Sequence, residues 1–294
     1  MLRIEGVTRR FGDRTVLDDV SFDVGGGRMT GFVGGNGAGK TTAMRIILGV
    51  LAPHAGRVTL DGDPLDTARR AQFGYMPEER GLYPKMRVRE QIAYLGRLHG
   101  MPKSAAEKSA DGLLDRLGLA ERRNDKLEDL SLGNQQRAQI AAALVHEPEV
   151  LVLDEPFSGL DPMAVEVVLG VLQDAARRGA PVLFSSHQLD IVERLCDDLV
   201  VIGDGRILAS GSREQLRARY GGSRYELQSA GDVGWLRAEP GVGVVEFDGG
   251  YALLEIADRA TAQRVLRRAV DDAPVDRFGP VLPTLTEIFR EVVR

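Results

Sequence analysis

Eight consecutive residues constrain this chain more than any other feature: Gly34-Gly35-Asn36-Gly37-Ala38-Gly39-Lys40-Thr41. They fit the pattern G-x-x-x-x-G-K-[ST]. A short apolar run, Met29–Val33, leads into them, and an apolar helical pattern over residues 41–51, closed by Pro53, leads out. A polyphosphate cradle needs a strand, a glycine loop and a helix in that order. Glycine N–H groups approach an anion with no Cβ in the way. The helix turns its positive end to the same anion. Lys40 adds a mobile full charge for the outer phosphates, and the Thr41 hydroxyl can join a Mg²⁺ shell. A plain glycine turn with a surface lysine would need neither flank. Both flanks are present, so the cradle is the favoured reading.

The rest of the chain bounds what such a cradle can serve. Its 294 residues are 43% hydrophobic and 28% charged, which excludes wholesale disorder and leaves room for about two domains. The single cysteine, Cys196, forbids an intrachain disulfide. A formal net charge of −5 argues against a general nucleic-acid surface. The longest charge-free runs, such as residues 46–56, fall well short of the ~20 apolar residues that span a bilayer. Met1-Leu2-Arg3-Ile4-Glu5 lacks the apolar core of a signal peptide. These features predict a soluble, cytoplasmic chain whose membrane role, if any, runs through a partner.

Alternation predicts strands over residues 2–8 and 16–24, turned at Gly12-Asp13, and another over 57–60. From about 84 to 147 the pattern is helical. It predicts Val88–Leu98, a helix over 105–117 opened by the capping box Ser104-Ala105-Ala106-Glu107, and a helix over 135–146. Strand and helix then alternate: Val150–Leu153, helix 164–178, strand 182–185, helix 188–196, and a hairpin around Gly203-Asp204-Gly205-Arg206. A second capping box, Ser212-Arg213-Glu214-Gln215, opens a helix ending near Tyr220. Gly221-Gly222-Ser223 reads as a linker. Beyond it, strands 224–227, 242–247 and Tyr251–Ile256 and helices 259–270 and 284–293 predict a small α+β domain, with Phe247, Tyr251 and Phe289 in its core.

Three further clusters bear on chemistry. Asp154 and Glu155 follow the fully apolar run Val150–Leu153, which puts two acids at the carboxyl edge of a buried parallel strand. Asp154 suits a Mg²⁺ shell and Glu155 suits activation of water. His187 follows the 182–185 strand and belongs to the same edge. Leu130-Ser131-Leu132-Gly133-Asn134-Gln135-Gln136-Arg137 opens a helix with a serine and a small glycine, which is either an ordinary N-cap or a second anion-binding end.

Together these motifs resemble the ATP-binding cassette (ABC) family over about residues 1–220. Gly34 to Thr41 matches its Walker A loop, and Leu151-Val152-Leu153-Asp154-Glu155 its Walker B strand. Leu130 to Arg137 is similar to its signature, usually written LSGGQ-QR. Ser158-Gly159-Leu160-Asp161 matches its D-loop, His187 its switch histidine, and Phe11 the aromatic that stacks on adenine. The sequence departs from the pattern at Glu78, where a glutamine is usual, at Leu132 and Asn134 in the signature, and at Gly35, often a proline.

The resemblance implies an α/β fold: a P-loop NTPase cassette with a RecA-like core, an antiparallel β-subdomain and a helical subdomain at about 84–147, spanning 1–220. A small accessory α+β domain follows over 224–294. It implies ATP held by Gly34 to Thr41 and Thr42, with Ser131, Gly133 and Asp161 completing the nucleotide contact. Mg²⁺ would be held by Thr41, Asp154 and Glu78, and the catalytic pair would be Glu155 and His187. It also implies a head-to-tail homodimer working with a separate integral membrane permease, whose cytoplasmic helix docks near residues 78–86. The cassette would then lie on the inner face of the cell membrane. The run from Pro77 to Pro84, the appendage and the ending Pro283-Thr284-Leu285-Thr286-Glu287-Ile288-Phe289 resemble the sodium- or drug-efflux subgroup. Three rival classes weigh less. ATPases of DNA repair or translation carry long coiled-coil insertions or two cassettes, a regulatory module would not need Lys40, Asp154 and Glu155 intact, and a GTPase would carry Asn-Lys-x-Asp.

Overall fold

The computed structural model describes residues 1–79, 81–220 and 224–292, so the expected break at 221–223 lies outside them. The chain divides into two compact units, Met1–Arg213 and Glu214–Val292.

In the first unit, β1 (Leu2–Phe11) and β2 (Arg14–Val24) form the expected hairpin, with Leu2 opposite Val24 and Phe11 opposite Arg14. β3 (Met29–Val33) is buried throughout and ends at the glycine loop. The helix after it, α1 (Lys40–Ile47), stops short of the expected Leu51. Gly49, at φ +74, takes the left-handed turn that ends it, and its N–H returns to the Ile46 carbonyl at 3.0 Å. β4 (Ala55–Leu60) pairs with β1 and with the short β5 (Asp63–Pro64), giving an antiparallel sheet in the order β2-β1-β4-β5.

Next come the short helix α2 (Thr67–Arg70) and the strand β6 (Phe73–Met76), neither expected from the sequence. The helical stretch consists chiefly of α3 (Val88–Leu98), α4 (Lys103–Arg116) and α5 (Leu132–Leu144). The capping box assigned to Ser104 is not formed. The helix already begins at Lys103 behind Pro102, and Glu107 lies 3.9 Å from Lys103 instead. Proline sets the helical φ ahead of the first turn, so the start falls two residues earlier than a cap at Ser104 would place it. α5 begins at Leu132 rather than Gln135, because Ser131 is its N-cap and accepts from the Asn134 N–H at 3.3 Å.

The second half supplies β7 (Val150–Leu153), α6 (Pro162–Arg177), β8 (Val182–Ser186), α7 (Leu189–Leu195), β9 (Asp198–Gly203) and β10 (Arg206–Ser212). With β3 and β6 they build a six-stranded sheet in the order β10-β9-β3-β8-β7-β6. β9, β3, β8, β7 and β6 run parallel, and β10 returns antiparallel to β9. All four residues of β7 are 0% exposed. Each such side chain contributes ~1.5–3 kcal/mol of apolar burial, which is why this strand reads as an unbroken hydrophobic run. At Gly74 an added Cβ would stand 2.3 Å from the Ala143 carbonyl oxygen, so glycine is what lets α5 lie directly on β6.

Helix α8 (Arg213–Tyr220) follows the sheet. The second unit contains β11 (Arg224–Ser229), β12 (Val242–Asp248), β13 (Tyr251–Ile256), α9 (Arg259–Asp272), β14 (Val275–Pro280) and α10 (Leu285–Val292). Its antiparallel sheet has the order β12-β13-β11-β14. The core is aliphatic, with Leu227, Ala252, Leu254 and Ile256 of the sheet clustered with Ala262, Val265 and Ala269 of α9. Phe247, Tyr251 and Phe289, expected there, are only partly buried. Phe247 sits at the margin under the Arg237 guanidinium, 4.4 Å from its ring centre. An arginine head needs water, so its aromatic partner stays at the edge.

One buried group gives the fold a pH dependence. His146, just beyond α5, stacks on His99 with ring centres 3.6 Å apart. Burial, with His99 alongside, pushes its pKa from 6.5 down to about 4. The unfolded chain therefore takes up a proton at this residue that the folded chain refuses. Stability is expected to be fully present above about pH 6.5 and to fall as the pH drops toward about 4. Urea midpoints across this window test it: His146→Phe should flatten the decline, and an unchanged slope would assign it to other groups.

Candidate functional site

The parallel sheet brings four strand ends to one edge. β3 delivers the glycine loop, β6 delivers Glu78, β7 delivers Asp154 and Glu155, and β8 delivers His187. In an open parallel sheet this carboxyl edge is where ligands sit. Here it borders a cavity of about 670 Å³ lined by Arg14, Val16, Asn36, Gly37, Ala38, Gly39, Lys40, Thr41, Thr42, Glu78, Asp154, Glu155 and His187.

The loop is shaped by close approaches. A Cβ at Gly34 would stand 2.4 Å from the Ile202 carbonyl oxygen. Gly39, the N-cap of α1, lies at φ +109, and a Cβ there would meet Leu17 Cδ2 at 2.7 Å and Val16 O at 3.0 Å. The loop can therefore turn its amides toward the cavity while its back presses on β2 and β9. Lys40 Nζ donates to the carbonyls of Gly34 at 2.6 Å and Gly35 at 3.2 Å, laying its charge across the loop entrance.

A chain of hydrogen bonds joins the strand ends. The Thr41 hydroxyl donates to Asp154 Oδ2 at 2.9 Å, and Ser185 Oγ donates to Asp154 Oδ1 at 2.5 Å. Ser185 Oγ also accepts from the Glu155 N–H at 2.9 Å. Asp154 is 2% exposed, so both its oxygens are spoken for away from bulk water. Glu155 adopts φ +53, a left-handed conformation that costs a residue with a Cβ ~1–2 kcal/mol. Its carboxylate Oε2 stands 3.0 Å from His187 Nδ1. The Glu155 side chain is 12% exposed and that of His187 is 58% exposed, so the pair spans from the sheet edge to open cavity.

The remaining expected residues stand apart from this lining. Phe11 is 49% exposed at the end of β1, with the Arg9 guanidinium 4.8 Å from its ring centre. Ser131 caps α5, and Gly133 lies in that helix's first turn. Asp161 caps α6, accepting from the Ala164 N–H at 2.8 Å. In the signature, Leu132 is 59% exposed, and Asn134 Oδ1 is taken by Arg137. The sequence reading missed Arg14, Ser185 and Gln136. Ser185 was in reach, since the parallel register sets Leu153 beside Phe184 and so its successor beside Asp154. Gln136, whose Nε2 donates to the Glu155 carbonyl at 2.9 Å, joins segments too far apart for any local pattern to show.

Comparison with known proteins gives this geometry its family. Residues 17–158 match the ABC transporter family, described as "ABC transporter". Over 293 residues the chain is 38% identical to the ABC transporter ATP-binding protein YhaQ of Bacillus subtilis, covering 100% of this chain and 98% of that one. The chain belongs to the ABC transporter ATP-binding proteins. As such it is an ABC ATPase subunit, and the fold is the expected α/β cassette. Residues 211–293 match the C-terminal domain of DrrA1-3-like ATP-binding proteins. The daunorubicin resistance ATP-binding protein DrrA3 of Streptomyces coeruleorubidus is 33% identical, with 98% of this chain and 94% of that one covered. A solved ATP-binding subunit of an ABC transporter aligns with a TM-score of 0.70 at 32% identity, over 75% of this chain and 93% of that one.

Gly39→Ala tests the loop. The added methyl meets β2 at a strained φ, so affinity for a fluorescent ATP analogue should fall tenfold or more, about 1.4 kcal/mol. Parental affinity in a folded variant would show that the loop does not depend on this close approach.

Proposed function

We propose that this chain powers an exporter, hydrolysing ATP between two copies of itself and passing the resulting closure to a separate membrane-spanning partner. The observation that carries this reading is the gathering of Lys40, Thr41, Asp154, Glu155 and His187 around one cavity, while Ser131 and Gly133 stand outside it. A second copy, head to tail, would bring its Ser131, Gly133 and Asp161 to the open side. Export is supported by the name of a relative, the Nod factor export ATP-binding protein I of Ralstonia nicotianae, 37% identical over 74% of this chain and 68% of that one, and the drug resistance named for DrrA3 accords with it.

The amides from Gly34 to Gly39, with Thr41, Thr42 and Lys40, hold the triphosphate by the helix dipole and one full charge. Phe11 offers a face for the adenine. Glu155 takes the proton from the attacking water, and His187, 3.0 Å from it, orients that carboxylate and reaches the γ-phosphate.

The residues fit Mg²⁺. Among the described residues no three His, Cys, Asp or Glu side chains gather into a metal cage. Mg²⁺ asks for less: one or two hard oxygens, with phosphate and water completing the shell. The Thr41 hydroxyl and Asp154 carboxylate, 2.9 Å apart, are such a pair, and Glu78 lines the same cavity. When bound, Mg²⁺ neutralises charge on the β- and γ-phosphates.

ATP supplies the negative charge that two positive helix ends share, so its binding favours closure and its cleavage removes the contact. Among the described residues no helix is long and apolar enough to cross a membrane. We assign residues 1–220 to the cassette and 224–294 to an accessory domain, and place the assembly on the inner membrane face through its permease. A cavity of about 280 Å³ lined by Tyr75, Pro77, Leu82, Leu95 and others supports docking of the permease helix near residues 78–86.

Glu155→Gln puts a carboxamide of the same shape where the carboxylate stood and so removes the base. This variant should bind ATP, release phosphate at least about a hundredfold more slowly, and elute as a dimer in size-exclusion chromatography with ATP. A variant that stays monomeric with ATP, or hydrolyses at the parental rate, overturns the reading.

A further inference from the structure

Glu155 is held in its left-handed turn from two sides. Ser185 takes its N–H, and Gln136 Nε2 donates to its carbonyl at 2.9 Å. Gln136 is 6% exposed. A buried amide has little water to turn to, so this donation is what satisfies it. One helical turn further along α5, the side chain of Gln139, 5% exposed, donates to the Glu79 carbonyl at 3.3 Å. The two glutamines on one helix therefore grip the backbones of both loops that carry acids into the cavity.

We propose that Gln136 is a positioning residue for hydrolysis: its amide holds the Glu155 carbonyl and so fixes where the Glu155 carboxylate leaves the turn. The proposal rests on the reading of Glu155 as the base. Its physical basis is the strain. A residue at φ +53 returns to an ordinary conformation when released, and that rotation swings the Cβ and the carboxylate away from His187. A shift of about 1 Å in a reacting group lowers rate by up to ~10²-fold. Nucleotide affinity depends on the loop from Gly34 to Thr41, which Gln136 does not touch. The effect belongs in turnover.

Steady-state ATPase of the full chain tests this. Gln136→Met keeps the length and loses the donor. It should lower kcat about tenfold and leave KM for ATP within about twofold. Gln136→Glu donates only when protonated, and burial raises the pKa of such a carboxyl. Its rate relative to the parent should therefore rise as the pH falls from about 8 to about 6. Added to Glu155→Gln, the Gln136→Met change should not slow the residual rate further, because no base remains to be aimed. Parental kcat in Gln136→Met, a flat rate ratio in Gln136→Glu, or additive losses in the double variant would each overturn the proposal. Should Gln136→Met fail to fold, the pH ratio of Gln136→Glu decides. Parental turnover in Glu155→Gln would instead remove the base reading itself, and the proposal with it.

Discussion

The structure of the site depends on one buried carboxylate. Asp154 takes the Thr41 hydroxyl on one oxygen and the Ser185 hydroxyl on the other, and its N–H donates to the Met76 carbonyl at 2.8 Å. Those three partners belong to the ends of three separate chain segments: the start of α1, the end of β8 and the end of β6. A buried acid at 2% exposure is tolerable only when such partners satisfy it. The register of the parallel sheet supplies them, because β7 lies between β6 and β8 in the sheet order. The sheet thus explains the acid, and the acid explains why loop, strand ends and cavity hold together as one unit.

Opposing charges are kept in reach of one another without being paired. The N-terminus of α1 and Lys40 make one side of the cavity positive, while Glu78, Asp154 and Glu155 make the other negative. Lys40 rests on loop carbonyls at 2.6 and 3.2 Å, a hydrogen-bonding role that a phosphate oxygen would fill more strongly. The arrangement suits a ligand that is an anion at one end and carries a divalent cation to the acids. A bare phosphate would leave the acids facing it, and a bare cation would leave the helix end facing it.

Where both faces of a segment are buried, the sequence shows it plainly. Met29–Val33 and Val150–Leu153 are strands at the expected residues because no charged position interrupts them. The glycine loop was equally legible, since its backbone needs are written as residue types. Legibility failed where tertiary contact outweighed local pattern. Phe73-Gly74-Tyr75-Met76 is a strand where none is expected, and its one glycine is there to admit α5. Ser104 has the right neighbours for a cap, but Pro102 had already begun the helix. The aromatic residues of the second unit looked like core and sit at its rim, because small Ala252, Ala262 and Ala269 let sheet and helix close without them. Within the site, the strand-end acids and histidine could be placed from sheet logic alone. Ser185 needed the register, and Gln136 needed the packing of α5.

That packing gives α5 two faces with different duties. Its N-terminus, capped by Ser131, lies outside the cavity of its own copy, while Gln136 and Gln139 on its first two turns are buried against the acid-bearing loops of that same copy. A helix of 13 residues is a stiff body, so its end and its side cannot move independently. One hydrogen bond, from Gln136 Nε2 to the Glu155 carbonyl at 2.9 Å, joins this stiff body to the Glu155 turn. The left-handed Glu155 turn is held by two hydrogen bonds, one from β8 through Ser185 and one from α5 through Gln136. The left-handed turn at Glu155 and the helix opened by Ser131 are thus tied to one another by a buried side chain.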